Sequence, residues 1–171
     1  MHTPTKIPTV AVYCQYYPYL SHDMLNSLLA CNCGAKWADW APLLLRVALG
    51  LVFTMHGYDK VFVKGIPGIT GFLGSLGFPM PTLFAYILSY GELIFGIMLI
   101  VGLLTHWAAK YAVVVAAVAW ATVHAKNGFM VSGGGYEFIM LIFAAAVSVM
   151  ITGAGKYSLD HMWLGRGSDT H

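Results

Sequence analysis

The stretch TLFAYILSYGELIFGIMLIVGLL, residues 82–104, decides the fold, because it contains a single charged side chain, Glu92. A helix of this length, at a rise of about 1.5 Å per residue, crosses a hydrocarbon core of about 30 Å. Three other apolar stretches have a similar length: residues 40–62, 107–125 and 136–153. The sequence therefore predicts an all-α membrane protein, a four-transmembrane-helix up-down bundle.

The composition of the whole chain agrees with a membrane protein. Of its 171 residues, 58% are hydrophobic and 9% are charged, whereas soluble domains average about 25% charged residues. Nine Lys and Arg against seven Asp and Glu give a net charge of +2, with no basic run to track phosphates. We therefore exclude nucleic-acid binding and expect the lipid bilayer as the first partner.

The connection between the first two predicted spans is neither a solvated linker nor a full span. Residues 65–81, GIPGITGFLGSLGFPMP, interrupt apolar side chains with glycines and prolines. We expect an apolar Gly/Pro-rich loop that lies at the membrane interface or re-enters the bilayer, with its backbone hydrogen-bonded within the protein. By contrast, Thr105 and His106 alone separate the second and third spans, which makes those helices antiparallel neighbours.

Three parts make up the predicted domain organisation: an N-terminal extension at residues 1–38, a four-helix transmembrane domain at 39–160 and a C-terminal tail at 161–171. Residues 21–33 of the extension predict a short amphipathic helix, and no secretory signal opens the chain. A metal site at His22, Cys31 and Cys33 is disfavoured, because no second ligand pair follows at a matching spacing. We predict no metal.

Lys and Arg residues outside the spans predict the orientation. Five fall on the side of the two termini and of the Thr105 turn, and three fall on the opposite side. Because cytoplasmic loops carry an excess of Lys and Arg, both termini are predicted to be cytoplasmic. The five are Lys6, Lys36, Lys110, Lys156 and Arg166, and the three are Lys60, Lys64 and Lys126.

Ionisable side chains inside the spans are the candidate functional residues. They are costly in lipid, so they usually face the bundle interior and contact one another or a ligand. We expect Glu92 at about 15 Å from the outer end of its helix, Arg46 in the inner half, and the others at the outer end. The six candidates are Arg46, His56, Lys60, Glu92, His124 and Glu137.

Helical spacing predicts which faces of the second and fourth spans turn inward. In each span, small and polar residues recur at intervals of three or four positions, which places them on one face. Small residues allow close helix packing in membranes, so Glu92 and Glu137 are expected to point into the bundle. The two stripes are Ala85, Ser89, Glu92 and Gly96 in the second span, and Glu137, Leu141, Ala144, Ser148 and Thr152 in the fourth.

Four ordered stretches carry a family resemblance: LLLRVALGLVFTMHGYDKVF at 43–62, GFLGSLGFPMP at 71–81, YGELIFGIMLIVGLLTHWAA at 90–109 and GGGYEFIMLIFAAAVSVMITGAGKYSLD at 133–160. They resemble the DoxX family of small prokaryotic four-helix membrane proteins. The resemblance implies a place in the cytoplasmic (inner) membrane and membership of a redox or respiratory complex, as in thiosulfate:quinone oxidoreductase. It also implies that the six candidates stand where the family keeps its polar residues.

A quinone suits these residues. Its ring needs an apolar slot, a donor to each carbonyl and a group that exchanges protons, for which His56, His124 and Glu137 are suited. The chain has no flavin, dinucleotide or iron–sulfur motif, so partner subunits would supply the electrons. We therefore expect a subunit that binds quinone or a small redox-active substrate in an intramembrane polar cavity, lined by Glu92 and by the four outer residues His56, Lys60, His124 and Glu137.

Two alternatives stay open. In the first, the protein is a purely structural accessory subunit, in which the ionisable residues neutralise one another and fix helix register. This subunit would dock onto a larger membrane complex through residues 21–33. In the second, His56 and His124 ligate one haem across the bundle. Of the two, haem is the one that a spectrum identifies directly, through its Soret band.

Overall fold

The computed structural model describes residues 40–164, and within them it is helical, with no strand. Two of the helices continue beyond their α-helical part: Trp40–Tyr58 through a π-helical turn at Asp59–Val63, and Thr105–Ala119 through one at Trp120–His124. The predicted helix at residues 21–33, with His22, Cys31 and Cys33, lies outside the described residues. The helices are α1 (Trp40–Tyr58), α2 (Gly65–Ser75), α3 (Pro81–Val101), α4 (Thr105–Ala119), α5 (Glu137–Thr152) and α6 (Leu159–Leu164).

Within residues 40–164, three helices are long and apolar enough to cross a membrane: Trp40–Val63, Pro81–Val101 and Thr105–Asn127. The fourth predicted span corresponds to α5, which is apolar but has 16 residues and reaches about 24 Å. The all-α membrane class is therefore confirmed with three candidate spans, and the fourth span stays a prediction.

The connection between α3 and α4 is a tight turn at residues 102–104. Gly102 adopts the left-handed conformation (φ 73°) that commonly ends a helix, and α4 then begins at Thr105. The turn is therefore three residues long and precedes the predicted position at Thr105 and His106. We call the end of the bundle that holds this turn the turn end, and the end that holds α2 the cavity end.

Close contact between α1 and α3 forms the tightest part of the bundle. A Cβ atom on Gly50 would lie 2.8 Å from the Gly96 carbonyl oxygen, so the two backbones meet without side chains between them. The predicted inward stripe of α3 is confirmed, because all four of its residues are buried: Ala85, Ser89, Glu92 and Gly96. Glu92 therefore points into the protein.

The predicted inward stripe of α5 is wrong. Leu141, Ala144 and Thr152 are exposed, and the buried face of α5 is formed instead by Ile142, Ala146 and Val149. The reason lies in the neighbouring helix α4, whose buried face is mostly alanine and leaves room for larger side chains. The small residues of this interface are therefore on α4, and α5 contributes the larger ones.

The Gly/Pro-rich stretch is helical over Gly65–Ser75, so the expectation of a loop is wrong for these eleven residues. Pro67 stands in the first turn of α2, where a missing N–H leaves no helical hydrogen bond unmade. Ile69 and Leu73 are buried in a cluster with Ala85 of α3. The helix thus satisfies its own backbone, and its placement as an interfacial or re-entrant cap stays a prediction.

Candidate functional site

An ion pair between Lys60 and Glu92 joins α1 to α3. The Lys60 ammonium donates a hydrogen bond to Glu92 Oε2, and the two side chains are 17% and 7% exposed. Glu92 lies about 17 Å along α3 from its first residue, Pro81. The expectation that Lys60 lies at the outer end of the bundle is therefore wrong, because α1 reaches only the middle of α3 and α2 packs against the remaining half.

A cavity of about 390 Å³ lies beside this ion pair. Four of the six predicted residues line it, namely His56, Lys60, Glu92 and His124, whereas Arg46 and Glu137 do not. Most of the remaining wall consists of aliphatic and aromatic side chains from α2, α3, α4 and α5. The predicted cavity is therefore present, but it is an apolar slot with a few polar groups and not a polar cavity.

Two of these polar groups stand in π-helical turns. Lys60 belongs to the turn at Asp59–Val63 and His124 to the turn at Trp120–His124. A π-helical turn contains an extra residue, which changes the direction of the side chains after it, and such turns are frequent at functional sites. The hydrophobic pattern of the sequence carries no signal for either turn, so sequence reasoning missed both.

His124 connects the cavity to the glycine-rich connection that precedes α5. Its Nδ1 donates a hydrogen bond to the Gly134 carbonyl oxygen at 2.7 Å, and the Asn127 side-chain amide donates to the same oxygen at 3.1 Å. With Nδ1 carrying the proton, Nε2 of the neutral ring is left as a hydrogen-bond acceptor. His124 is thus held in one orientation and one tautomer beside the cavity.

Tyr111 is a cavity residue that sequence reasoning missed. Its hydroxyl lies 3.1 Å from the Ile87 carbonyl oxygen and 3.2 Å from that of Leu88, and it donates its proton to these acceptors. A Cβ atom on Gly91 would overlap the Tyr111 ring, so the glycine leaves the space that the phenol occupies. The sequence signal for this contact is a glycine, Gly91, on the helix that faces a tyrosine, Tyr111.

The two candidates outside the cavity have structural contacts. Arg46 is buried at the turn end, and its Nη2 donates to the Tyr157 carbonyl oxygen at 2.7 Å. Glu137 Oε2 accepts a hydrogen bond from the Val131 backbone N–H at 3.0 Å. The expectation that Glu137 lines the cavity is wrong, because its carboxylate closes the connection between α4 and α5.

The cavity wall therefore offers a small set of chemical functions. Lys60 supplies a cation, Glu92 a carboxylate, and His56 and His124 two imidazoles, all at the boundary of an apolar volume. Among residues 40–164, no three His, Cys, Asp or Glu side chains come together as a group that could hold a metal ion. The arrangement suits a flat, mostly apolar ligand that has polar atoms at its edge and exchanges protons.

Comparison with known proteins agrees with this membrane architecture. A family model described as DoxX matches residues 41–125. A Bacillus subtilis protein named "Putative oxidoreductase CatD" is 34% identical over 125 residues, which cover 73% of this chain and 88% of that protein.

Two Haemophilus influenzae proteins described as uncharacterized are also similar. One is 43% identical over 70 residues, which cover 40% of this chain and 46% of that protein. The other is 30% identical over 129 residues, which cover 74% and 92% of the two chains. No solved structure matches the chain. Because the DoxX model matches residues 41–125 and the Bacillus subtilis relative is 34% identical over 88% of its length, the chain belongs to the DoxX family.

Proposed function

We propose that this protein is an integral membrane subunit that binds a quinone in the cavity beside the Lys60–Glu92 ion pair. One observation carries the proposal: an apolar slot of about 390 Å³ has its few polar groups, two imidazoles among them, on its wall. The oxidoreductase name of the Bacillus subtilis relative supports redox chemistry of this kind. Electrons would pass to or from a partner subunit of a redox or respiratory complex.

Each polar group has a role that its contacts favour. The Lys60 ammonium is a donor for one quinone carbonyl, because it has further N–H groups besides the one it directs to Glu92. His124 Nε2 would be placed to accept a proton from a quinol hydroxyl, since its Nδ1 is held by Gly134. His56 and Glu92 stand on the same wall and offer further sites for proton exchange. The quinone, when bound, supplies the redox chemistry.

The membrane placement belongs to the same proposal. We assign α5 as a fourth span, although its 16 residues are few, since flanking residues add length. Both termini would lie in the cytoplasm, with the protein in the inner membrane and the cavity end toward the outside. Labelling of single cysteines at residues 65 and 126 from either side of sealed vesicles tests this orientation, and labelling from the cytoplasmic side alone would reverse it.

The cavity is tested by comparing two carboxylate substitutions. Glu92→Gln removes a carboxylate on the cavity wall, whereas Glu137→Gln removes one outside it. We expect Glu92→Gln and His124→Ala each to weaken binding of a decyl-substituted benzoquinone about tenfold or more, because each leaves a polar group of the bound ligand without its partner in the cavity. Glu137→Gln should leave binding unchanged. Isothermal titration calorimetry on the purified chain measures the three dissociation constants.

The same experiment separates the alternatives. Unchanged binding and unchanged quinone-linked activity in both Glu92→Gln and His124→Ala would reduce the cavity to a packing feature, and a structural accessory subunit would replace this proposal. A haem is the second candidate, because His56 and His124 line one cavity from different helices. A Soret band in the purified protein that is lost in His124→Ala would favour haem over quinone.

A further inference from the structure

The cavity is bordered by side chains that face away from the protein at membrane depth. Four apolar residues of its wall, two on α3 and two on α4, are between 37% and 61% exposed. All four belong to helices that are candidate membrane spans. In a bilayer, apolar side chains exposed along such spans would face lipid. The four are Phe84 and Ile87 on α3, and Val114 and Val118 on α4.

The packing of α3 against α4 explains why the cavity reaches this surface. Near its middle, α4 is fastened to α3 by the Tyr111 hydroxyl, which donates to backbone oxygens of Ile87 and Leu88. Beyond Tyr111 on α4, Val114 and Val118 line the cavity, and the Ile87 side chain lines it from α3. Ile87 and Val118 lie at similar distances from the turn between the two helices, about 20 Å.

We propose that the cavity opens sideways into the bilayer between α3 and α4, and that its ligand is a lipid-soluble quinone whose hydrocarbon tail lies across Ile87, Val114 and Val118. This inference rests on the proposed quinone site and adds its substrate class and its entry route. The polar groups of the wall would hold the ring. The exposed apolar residues would hold a tail that has no need to leave the hydrocarbon region.

A tailed ligand accounts for features that a small water-soluble one does not. A water-soluble molecule would gain nothing from four exposed apolar side chains at the edge of its site, whereas a hydrocarbon tail packs on such side chains. The ion pair on the cavity wall is much less exposed than these four border residues, because the Lys60 and Glu92 side chains are only 17% and 7% exposed. A ligand with one polar and one apolar end matches this separation.

Bulky substitutions in the opening test the inference. Val118→Trp and Ile87→Trp narrow the opening from opposite sides, and Leu51→Trp is the control, since Leu51 is an exposed residue of α1 that does not line the cavity. Two probes are titrated into each detergent-purified variant: a decyl-substituted benzoquinone and the same benzoquinone without its tail. The readouts are the two dissociation constants, with size-exclusion chromatography to establish that each variant is folded.

We expect both opening variants to weaken binding of the decyl compound tenfold or more and to change binding of the tailless compound less than twofold. Leu51→Trp should change neither. Equal weakening of both compounds, or no weakening of either, would overturn the sideways opening while the quinone site stands. If the unsubstituted protein binds neither compound, the proposed function itself fails. If Val118→Trp does not fold, Ile87→Trp decides between these outcomes.

Discussion

Removing one partner of the Lys60–Glu92 ion pair should lower the free energy of unfolding. Lys60→Met removes the cation and leaves a carboxylate that is 7% exposed without its partner. Breaking a buried ion pair on one side costs about 3–5 kcal/mol in soluble proteins. Interhelical polar contacts in membranes are worth less, up to about 1.7 kcal/mol, because the unfolded state in lipid also finds partners. We therefore expect Lys60→Met to lower the free energy of unfolding by about 2–3 kcal/mol.

A second lysine near the end of α1 provides the matched control. Lys64 lies 2.6 Å from Asp59 Oδ2, but the two side chains are 60% and 40% exposed. Exposed pairs contribute little, so Lys64→Met should leave the free energy of unfolding within experimental error. The two variants remove the same chemical group four residues apart and differ in the burial of the broken pair.

The double variant Lys60→Met/Glu92→Gln tests whether the lost stability comes from the unpaired carboxylate. Because it removes the carboxylate together with its partner, it should recover about half or more of the stability that Lys60→Met loses. Unfolding in mixed micelles with increasing SDS, followed by circular dichroism, measures the stability of the unsubstituted protein, the two single lysine variants and the double variant. Equal losses in Lys60→Met and Lys64→Met would refute the reasoning, and so would a double variant less stable than Lys60→Met alone.

Three further predictions concern the turn end and the α3–α4 contact, and the same unfolding assay measures them. Gly102→Ala should lower the free energy of unfolding by about 2 kcal/mol or more, because φ is 73° and the new methyl group would overlap the Arg46 guanidinium. Gly77→Ala is the control, with φ 79° and open space around the new methyl group, and should lower it by about 1 kcal/mol. Equal losses would remove the role of the overlap. Asp160→Ala should lower the free energy of unfolding by about 1–2 kcal/mol, since the carboxylate accepts hydrogen bonds from the Leu104 and Thr105 backbone N–H groups at the start of α4. Asp160→Asn should lower it less. Tyr111→Phe should cost about 1 kcal/mol through the lost hydroxyl contacts, and an unchanged midpoint would contradict that.

Sequence reasoning identified three candidate spans and one buried stripe because those features depend on hydrophobicity and helical period alone. Ala85, Ser89, Glu92 and Gly96 share a face, and three of them are small, so close packing against α1 was readable from spacing. The same argument failed on α5. Alanines at three successive positions, 144–146, present small side chains around most of the helix, and only the partner helix decides which of them is buried.

The candidate site was predictable in composition and less so in geometry. His56, Lys60, Glu92 and His124 were identified as ionisable residues in apolar spans, and the structure brings them to one cavity. The position of Glu92 along its own helix was readable, but that of Lys60 was not, because the offset of α1 along α3 depends on contacts between distant glycines and not on either span's length. Glu137 was misplaced because its backbone partner, Val131, lies in an irregular segment without a periodic pattern.

The π-helical turns at Asp59–Val63 and Trp120–His124 also affect how sequences of this family should be aligned. One residue corresponds to about 100° of helical rotation, so an added residue in a turn swings all later side chains of that helix by that angle. A relative with a regular α-helix at either place would need a one-residue gap there. Without the gap, an alignment would pair cavity-facing positions of one protein with lipid-facing positions of the other.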